Sequence, residues 1–401
     1  MPHISAKAET FGESVIREMT RLAMEHDAVN LAQGFPDFAC PPELKAAAAA
    51  AIAGDINQYA VTWGAPAFRQ AIAAKTQRHY PALELDPERE ITVTCGATEG
   101  MICAFLAVLD PGDEVVVFEP FYENYGPDAI LAGARPRYVR LHEPGWTVDE
   151  AELRAAFTPR TRGIVVNSPH NPTGKVFSPE ELALIAELCI DHDVVAFTDD
   201  IYEHIVYAAR HVPLATLPGM RERTVAVNSL SKTYAVTGWR VGWVTASPDL
   251  SSGVRKVHDF LTVGAAAPLQ AAGVAALQLP DAYYRELASA YRARRDLLVE
   301  ALVAAGLRPA VPDGAYYVMA DTSGLTEVDS TTFARWLVEA AGIAAVPGAA
   351  FFQDPRDGRG RLRFAFPKRA ETLRLAAERL ADVSLRKDRP GAVEQAPASR
   401  P

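Results

Sequence analysis

Ser229-Leu-Ser-Lys-Thr-Tyr-Ala-Val-Thr-Gly-Trp-Arg-Val-Gly242 is the stretch on which the reading of this 401-residue chain turns. One lysine, Lys232, stands among small polar residues, with Ser229 three positions before it and Arg240 eight after. A lysine becomes useful to chemistry when its amine sheds a proton and forms a Schiff base with an aldehyde. A hydroxyl and a guanidinium are the groups that hold a phosphate nearby. An aldehyde and a phosphate on one small cofactor mean pyridoxal 5′-phosphate. Ser-x-Ser-Lys alone would equally suit a surface lysine beside a glycine turn, so the rest of the chain has to decide.

Working outward, apolar β-branched runs alternate with helical patterns. Ile91-Thr-Val-Thr-Cys95, Glu114-Val-Val-Val-Phe118, Arg162-Gly-Ile-Val-Val-Asn167, Val194-Val-Ala-Phe-Thr-Asp199 and Thr224-Val-Ala-Val-Asn228 read as buried strands. Helical stretches near 98–109, 149–157 and 178–191 separate most of them. Such alternation predicts an α/β fold with a mostly parallel sheet covered on both faces. Polar groups after the strand C-termini would then face one crevice. From about Pro280 a long Arg-rich helical segment, Tyr283 to Ala305, leads into Gly314-Ala-Tyr-Tyr-Val-Met, a helix near 330–341 and Arg361-Leu-Arg-Phe-Ala-Phe366. This suits a smaller α/β domain. The expected organisation is an N-terminal arm at 1–45 belonging to the small domain, a large domain at 46–285, a small domain at 286–385 and a disordered tail at 386–401, rich in Pro, Ala, Gly and Arg.

Pyridoxal phosphate makes specific demands. Its ring nitrogen must stay protonated, which a buried carboxylate achieves. Asp199 is the candidate and Asp200 the competitor, with Tyr202 three residues on as a hydrogen-bond donor to the ring's phenolic oxygen. Pro169-His-Asn-Pro-Thr-Gly174 is a turn by composition that can aim the Asn171 amide into a crevice, with Asn167 as a secondary contact. Gly96-Ala97-Thr98-Glu99-Gly100 follows a strand and opens a helix. There the backbone N–H groups of Ala97 and Thr98, helped by the helix dipole, can approach a phosphate that Ser229 and Arg240 also hold. Glu119-Pro-Phe-Tyr122 offers Phe121 or Tyr122 to stack on the ring.

Composition sets the outer limits. Hydrophobic residues make up 49% and charged residues 22%, ordinary for a globular enzyme. A formal net charge of −10 argues against nucleic acid as a partner. No apolar run reaches the roughly 18 residues of a membrane span, and Ala46 to Ala53 reads as a helix. The N-terminus lacks a basic region followed by an apolar core, so no secretory signal is expected. Cys40, Cys95, Cys103 and Cys189 form no CxxC pair, so reduced thiols in a cytoplasm fit better than a metal site or disulfide framework.

Position for position, residues 229–242 resemble the lysine-attachment signature of class I aminotransferases. The resemblance extends from about Val29 to about Leu380, to class I/II aminotransferases of fold type I. Within them it is to the kynurenine, glutamine, methionine and N-succinyldiaminopimelate aminotransferase group. It implies a large seven-stranded-type sheet domain, and it favours Asp199 over Asp200, Tyr122 over Phe121, and Arg363 over Arg361 as the fork that binds the substrate α-carboxylate. It also implies that Gly34 offers backbone to the substrate. Tyr59 would reach the cofactor phosphate of a neighbouring subunit, making the active unit a homodimer. The implied reaction moves an amino group from an L-amino acid to a 2-oxo acid through a Lys232 Schiff base, with Lys232 as general acid–base. Ile16 and Ala266 stand where kynurenine-type enzymes carry tryptophan and histidine, and His170 replaces an asparagine common before Asn171. These departures weaken an aromatic donor and leave glutamine, methionine or an acylated diamino acid open. A same-fold eliminase, cyclase or oxidase would keep every cofactor contact, and so remains the alternative. A non-catalytic ligand sensor on the same fold is a second, which the absence of a fused DNA-binding domain disfavours.

Overall fold

The five apolar runs all join one large sheet, four in its middle and Ile91–Thr94 at an edge, in the computed structural model, which describes residues 3–383, 386 and 388–393. In chain order its strands are β1 (Ile91–Thr94), β2 (Glu114–Glu119), β3 (Arg135–His142), β4 (Thr147–Val148), β5 (Thr161–Asn167), β6 (Val195–Asp199), β7 (Thr224–Ser229) and β8 (Gly242–Thr245). They lie in the order β1-β8-β7-β6-β5-β2-β3-β4. From β7 to β3 every pairing is parallel, and β8 is antiparallel to both neighbours. The two-residue β4 extends the far edge of what is otherwise a seven-stranded sheet.

Side-chain alternation shows why these strands are apolar throughout. Val116, Phe118, Ile164 and Val166 enter one core, while Val115, Val117, Val165 and Phe197 enter another on the opposite face. There Phe105, on the helix Ala97–Val108, meets Phe197 with ring centroids 4.7 Å apart. Besides the two-residue β4, two strands of this sheet went unforeseen. In β3, Val139 and Leu141 are buried but arginines interleave with them, so the run reads as loop. The β8 run lies at the end of the lysine-bearing motif, whose polar chemistry masks it.

A second sheet holds β9 (Arg308–Pro309), β10 (Tyr317–Asp321), β11 (Val346–Pro347) and β12 (Arg361–Ala365), ordered β9-β10-β12-β11 and antiparallel throughout. The arm joins this part of the molecule: Val29–Asn30 pairs in parallel with Ile343–Ala344, and the Leu31 carbonyl accepts from the Ala365 amide at 2.7 Å. That bond lays the Leu31–Gly34 segment beside β12. The helix Asp281–Ala304 is continuous across the domain boundary expected at 285/286. The expectation of a tail disordered from 386 needs correcting. Glu327 N–H donates to Gly391 O, Val393 N–H to Leu325 O and Thr326 Oγ1 to Pro390 O, so 390–393 lie against the 325–328 loop. Three hydrogen bonds to one loop order a segment whose composition lacks any periodicity. The expected tail beyond 393 lies outside the described residues.

Phe197 fills the core under the centre of the large sheet and is fully buried. Phe197→Ala should lower the unfolding free energy by about 3–5 kcal/mol in denaturant titrations of the apo-protein. A loss under about 1 kcal/mol would mean that this core is not closely packed.

Candidate active site

Strands β5, β6 and β7 are parallel neighbours, so Asn167, Asp199 and Ser229 end on one edge of the sheet. The turns beyond that edge wall a cavity of about 150 Å³. Ala97, Thr98, Tyr122, Asn171, Asp199, Tyr202, Ser229, Lys232 and Arg240 all line it.

Asp128 and Asp199 are both buried carboxyl groups of this cavity, and Asp199 is the one at a strand end. Its Oδ2 accepts from Tyr125 Oη at 2.7 Å, while Oδ1 is buried with no partner. Burial pushes its carboxyl up to about 6, against the opposing pull of Tyr125, the Ile201 amide and Lys232. An orphaned carboxylate oxygen in a cavity is a vacant acceptor. Asp200 turns elsewhere, accepting from Thr198 Oγ1 at 2.9 Å and lining a different pocket with Lys75 and Glu203. Asn167 donates from Nδ2 to Asp199 O and accepts at Oδ1 from Asn171 N–H, which fixes both turns with one amide.

Lys232 lies in the same cavity. Burial pushes its amine down from 10.5 to about 8; Asp199 opposes that shift, and Arg240 and Arg363 assist it. Its Nζ donates to Gly34 O at 3.3 Å, and Tyr316 Oη donates to the same carbonyl at 2.8 Å. A Cβ on Gly34 would lie 2.1 Å from Tyr317 Oη, so only glycine lets that ring approach. Tyr317 Oη is in turn 3.0 Å from Tyr202 Oη.

At the other end of the cavity the helix Ala97–Val108 begins at Gly96, which has φ +83° and no side chain to cap the first amides. The free N–H groups of a first turn are an anion site. Arg240 stands over it in a left-handed backbone conformation, φ +53°. A Cβ on Gly96 would fall 2.3 Å from Arg240 Nη2, and one on Gly242 2.7 Å from the Ala97 amide nitrogen. The close approach of guanidinium, strand and helix start therefore requires both glycines.

Arg363, in β12, is buried outside this lining but bonded to it. Nη1 donates to Asn171 Oδ1 at 2.9 Å, Nη2 to Ala32 O at 2.6 Å, and Nε has no partner. Its guanidinium lies over the rings of Tyr317 and Phe351. Arg361 pairs instead with Glu143 near the surface. Phe121 packs on Tyr138, 5.0 Å between centroids, whereas Tyr122 faces the cavity. Tyr59 is not brought to the cavity at all: it is 87% exposed, on a groove with Ile56 and Ala67. His170 is a buried structural residue, bonded through Nδ1 to Thr173 Oγ1 at 2.8 Å.

A model of the family "Aminotransferase class I and II" matches residues 26–380. The solved N-succinyldiaminopimelate aminotransferase from Mycobacterium tuberculosis superposes with a TM-score of 0.93 at 42% identity, over 95% of this chain and all of that one. The methionine aminotransferase from Escherichia coli gives 0.91 at 38%, over 95% and 100%. Kynurenine–oxoglutarate transaminase 1 of Homo sapiens is 36% identical over 90% of this chain and 94% of its own. The chain belongs to the class I and II aminotransferases.

As a fold type I aminotransferase the protein depends on pyridoxal phosphate and passes an amino group from an L-amino acid to a 2-oxo acid. Its cavity fits that cofactor on three counts: an orphaned carboxylate oxygen for a protonated ring nitrogen, an uncapped helix start with Arg240 for a phosphate, and an amine of lowered basicity between them. Sequence reasoning passed over Tyr125, Tyr316 and Tyr317. Tyr316 and Tyr317 were visible in Gly314-Ala-Tyr-Tyr but read only as a strand, and Tyr125 meets Asp199 across 74 residues with no local signal.

Because the neutral amine is the nucleophile, the low basicity of Lys232 has a kinetic consequence. The rate at which the apo-aminotransferase takes up pyridoxal phosphate, followed by absorbance, should climb about tenfold per pH unit and level off near pH 8. A climb continuing to the ordinary lysine value of about 10.5 would contradict the assignment of Lys232.

Proposed function

We propose that Lys232, Asp199 and Arg363 divide the transamination between them, and that the donor is a long, non-aromatic amino acid of the N-succinyldiaminopimelate or methionine kind. The observation that carries the reading is the pairing of an orphaned Asp199 oxygen with a weakly basic Lys232 in one cavity. When bound, pyridoxal phosphate supplies an aldehyde for amines and a protonated ring that takes up the electron pair left at the substrate Cα. Asp199 holds the proton on the ring nitrogen, oriented by Tyr125 and Asn167. Ala97, Thr98, Ser229 and Arg240 hold the phosphate, Tyr122 stacks on the ring, and Tyr202 and Asn171 bond its phenolic oxygen.

Arg363 binds the substrate carboxylate as a fork, a bidentate task that lysine does poorly. Asn171 and the Ala32 carbonyl already aim its two terminal nitrogens, and Gly34 presents its backbone beside them. With the substrate carboxylate fixed, Lys232 Nζ would be the base that takes the proton from Cα and, as the ammonium, the acid that gives it to the carbon that carried the cofactor's aldehyde. A general base works best with a basicity close to ambient pH, which suits an amine near 8.

The donor follows from two supports. Relatives at 42% and 38% identity act on N-succinyldiaminopimelate and methionine. Lys232 also borders a second, open groove of about 530 Å³ between Phe38–Glu43 and Leu279–Arg294, with room for a long side chain. Ile16 is buried in the core and supplies no aromatic wall. The active unit in this reading is a cytoplasmic homodimer, in which Tyr59 reaches the partner's cofactor phosphate. Tyr59, at 87% exposed, and Phe260, at 91%, are the large side chains such an interface would cover. No helix among the described residues is long and apolar enough to cross a membrane. The reading also keeps the division into arm, large domain and small domain near residues 45, 285 and 385.

A single-turnover titration of the holoprotein under anaerobic conditions tests this directly. N-succinyl-diaminopimelate or methionine should convert the cofactor to its amine form with one equivalent of 2-oxo acid, and 2-oxoglutarate or pyruvate should reverse it. A spectral change that never yields the amine form would favour elimination, cyclisation or oxidation. Arg363→Ala should raise the donor KM by about two orders of magnitude, as expected for a buried charged pair, and leave cofactor affinity unchanged. Loss of cofactor in that variant would reverse the roles given to Arg363 and Arg240.

A further inference from the structure

We propose that the buried Glu99–His258 pair is a positioning device that fixes the phosphate-binding turn Cys95–Thr98 against the segment Thr62–Gly64 and cancels a carboxylate's charge beside the bound phosphate. The inference rests on the phosphate site proposed above. Glu99 lies two residues after Ala97 in the first turn of the helix that forms this site. An unpaired carboxylate there would repel a phosphate dianion. His258, from the last turn of the helix Pro248–Leu261, meets it.

The hydrogen bonds decide the charge state of the pair. His258 Nδ1 lies 2.9 Å from Glu99 Oε1, and Nε2 lies 2.9 Å from the Thr62 carbonyl. Thr262 Oγ1 also lies 3.3 Å from Nδ1, but a neutral imidazole donates from one nitrogen only, so the bonds to the Glu99 carboxylate and to the Thr62 carbonyl form together only in the imidazolium. Glu99 is saturated in turn. Its Oε1 also accepts from Cys103 Sγ at 2.7 Å, and its Oε2 accepts from the Cys95 amide at 3.0 Å. Cys95 Sγ reaches Gly264 O at 3.5 Å, so the segments at 62–64 and 262–264 meet at this one cluster. His258 is completely buried and the helix C-terminus favours its positive charge.

Besides Glu99, the titratable groups around His258 are Cys103 on the facing helix, Cys95 at the turn and Asp259 on its own helix. Burial pushes the imidazolium down, but the Glu99 hydrogen bond and charge and the Thr62 carbonyl together raise it above the ordinary 6.5. The clamp is therefore fully formed at and below that value, and it is lost as pH rises through the raised one. Thr62 lies three residues after Tyr59, so the pair also ties a subunit's own phosphate site to the loop that would serve its partner.

The test uses the apo-protein and pyridoxamine 5′-phosphate, which carries the phosphate but forms no bond to Lys232. His258→Gln should weaken its binding about tenfold near pH 6.5, the size expected for one charge-assisted bond, and the gap to wild type should close as rising pH takes the proton from His258. Adding Glu99→Gln to His258→Gln should restore most of the affinity, because the repelling charge is gone; general damage would instead be compounded. Binding within about twofold of wild type near pH 6.5, or a double variant no better than the single one, overturns the proposal. If His258→Gln does not fold, carbon NMR of the wild-type imidazole decides: a neutral ring near pH 6.5 overturns it and a charged one supports it. Arg240→Ala separates the two readings. Unchanged affinity there would remove the phosphate site itself, whereas weakened binding beside an indifferent His258→Gln would remove only the clamp.

Discussion

Everything at this site depends on keeping one buried carboxylate, Asp199, ionisable. An unpartnered buried acceptor costs about 1–3 kcal/mol, and more when charged. The fold meets that cost by surrounding the group rather than neutralising it. Tyr125 takes one oxygen, Asn167 holds the backbone, and Lys232 shares the cavity without touching it. Parallel strands make this economical. Three neighbouring strands end together, so a single sheet edge presents the carboxylate, the hydroxyl of Ser229 and the amide of Asn167 at fixed separations.

The balance of charge around that edge is opposite to the balance of the whole chain. The molecule is formally −10, yet Lys232, Arg240 and Arg363 face one region against two buried carboxyl groups, Asp199 and Asp128, and burial pushes Asp128 up to about 7. Local cations over a low-dielectric floor decide what binds, because net charge acts at long range and is screened by salt. The same crowding lowers the basicity of Lys232, since each arginine disfavours a further positive charge. One arrangement thus attracts an anionic substrate and frees the amine that must act on it.

What could be read from the sequence was what is local in it. Lys232, Ser229 and Arg240 lie in one 14-residue stretch, and Asp199 and Tyr202 lie three apart, so residue type and spacing carried the chemistry. The strands of the sheet centre were legible because both their faces are buried and their runs are unbroken. The strand Arg135–His142 was not, because Arg135, Arg137 and Arg140 interrupt it and only Val139 and Leu141 are buried. Contacts made across the chain were equally hidden. Tyr125 to Asp199, Tyr317 to Tyr202 and His258 to Glu99 join residues 74, 115 and 159 apart, and no pattern on either side announces the other. Tyr59 is a different case: it is exposed in the single chain, and the role proposed for it would arise only in an assembly of two chains.

The division between local and distant contacts also explains why cofactor chemistry is easier to read than donor choice. The cofactor-facing residues come from turns of the large sheet, each in a motif of its own. In the proposed reading the donor's carboxylate would meet Arg363 from the second sheet, beside the arm segment that the bond from Ala365 to Leu31 brings there. The Arg363–Asn171 bond joins these two bodies across 192 residues. Whatever displaces that bond therefore registers the position of one sheet against the other, and donor fit becomes a property of how the halves meet. Relatives acting on N-succinyldiaminopimelate, methionine and kynurenine share one fold at 36–42% identity with this chain.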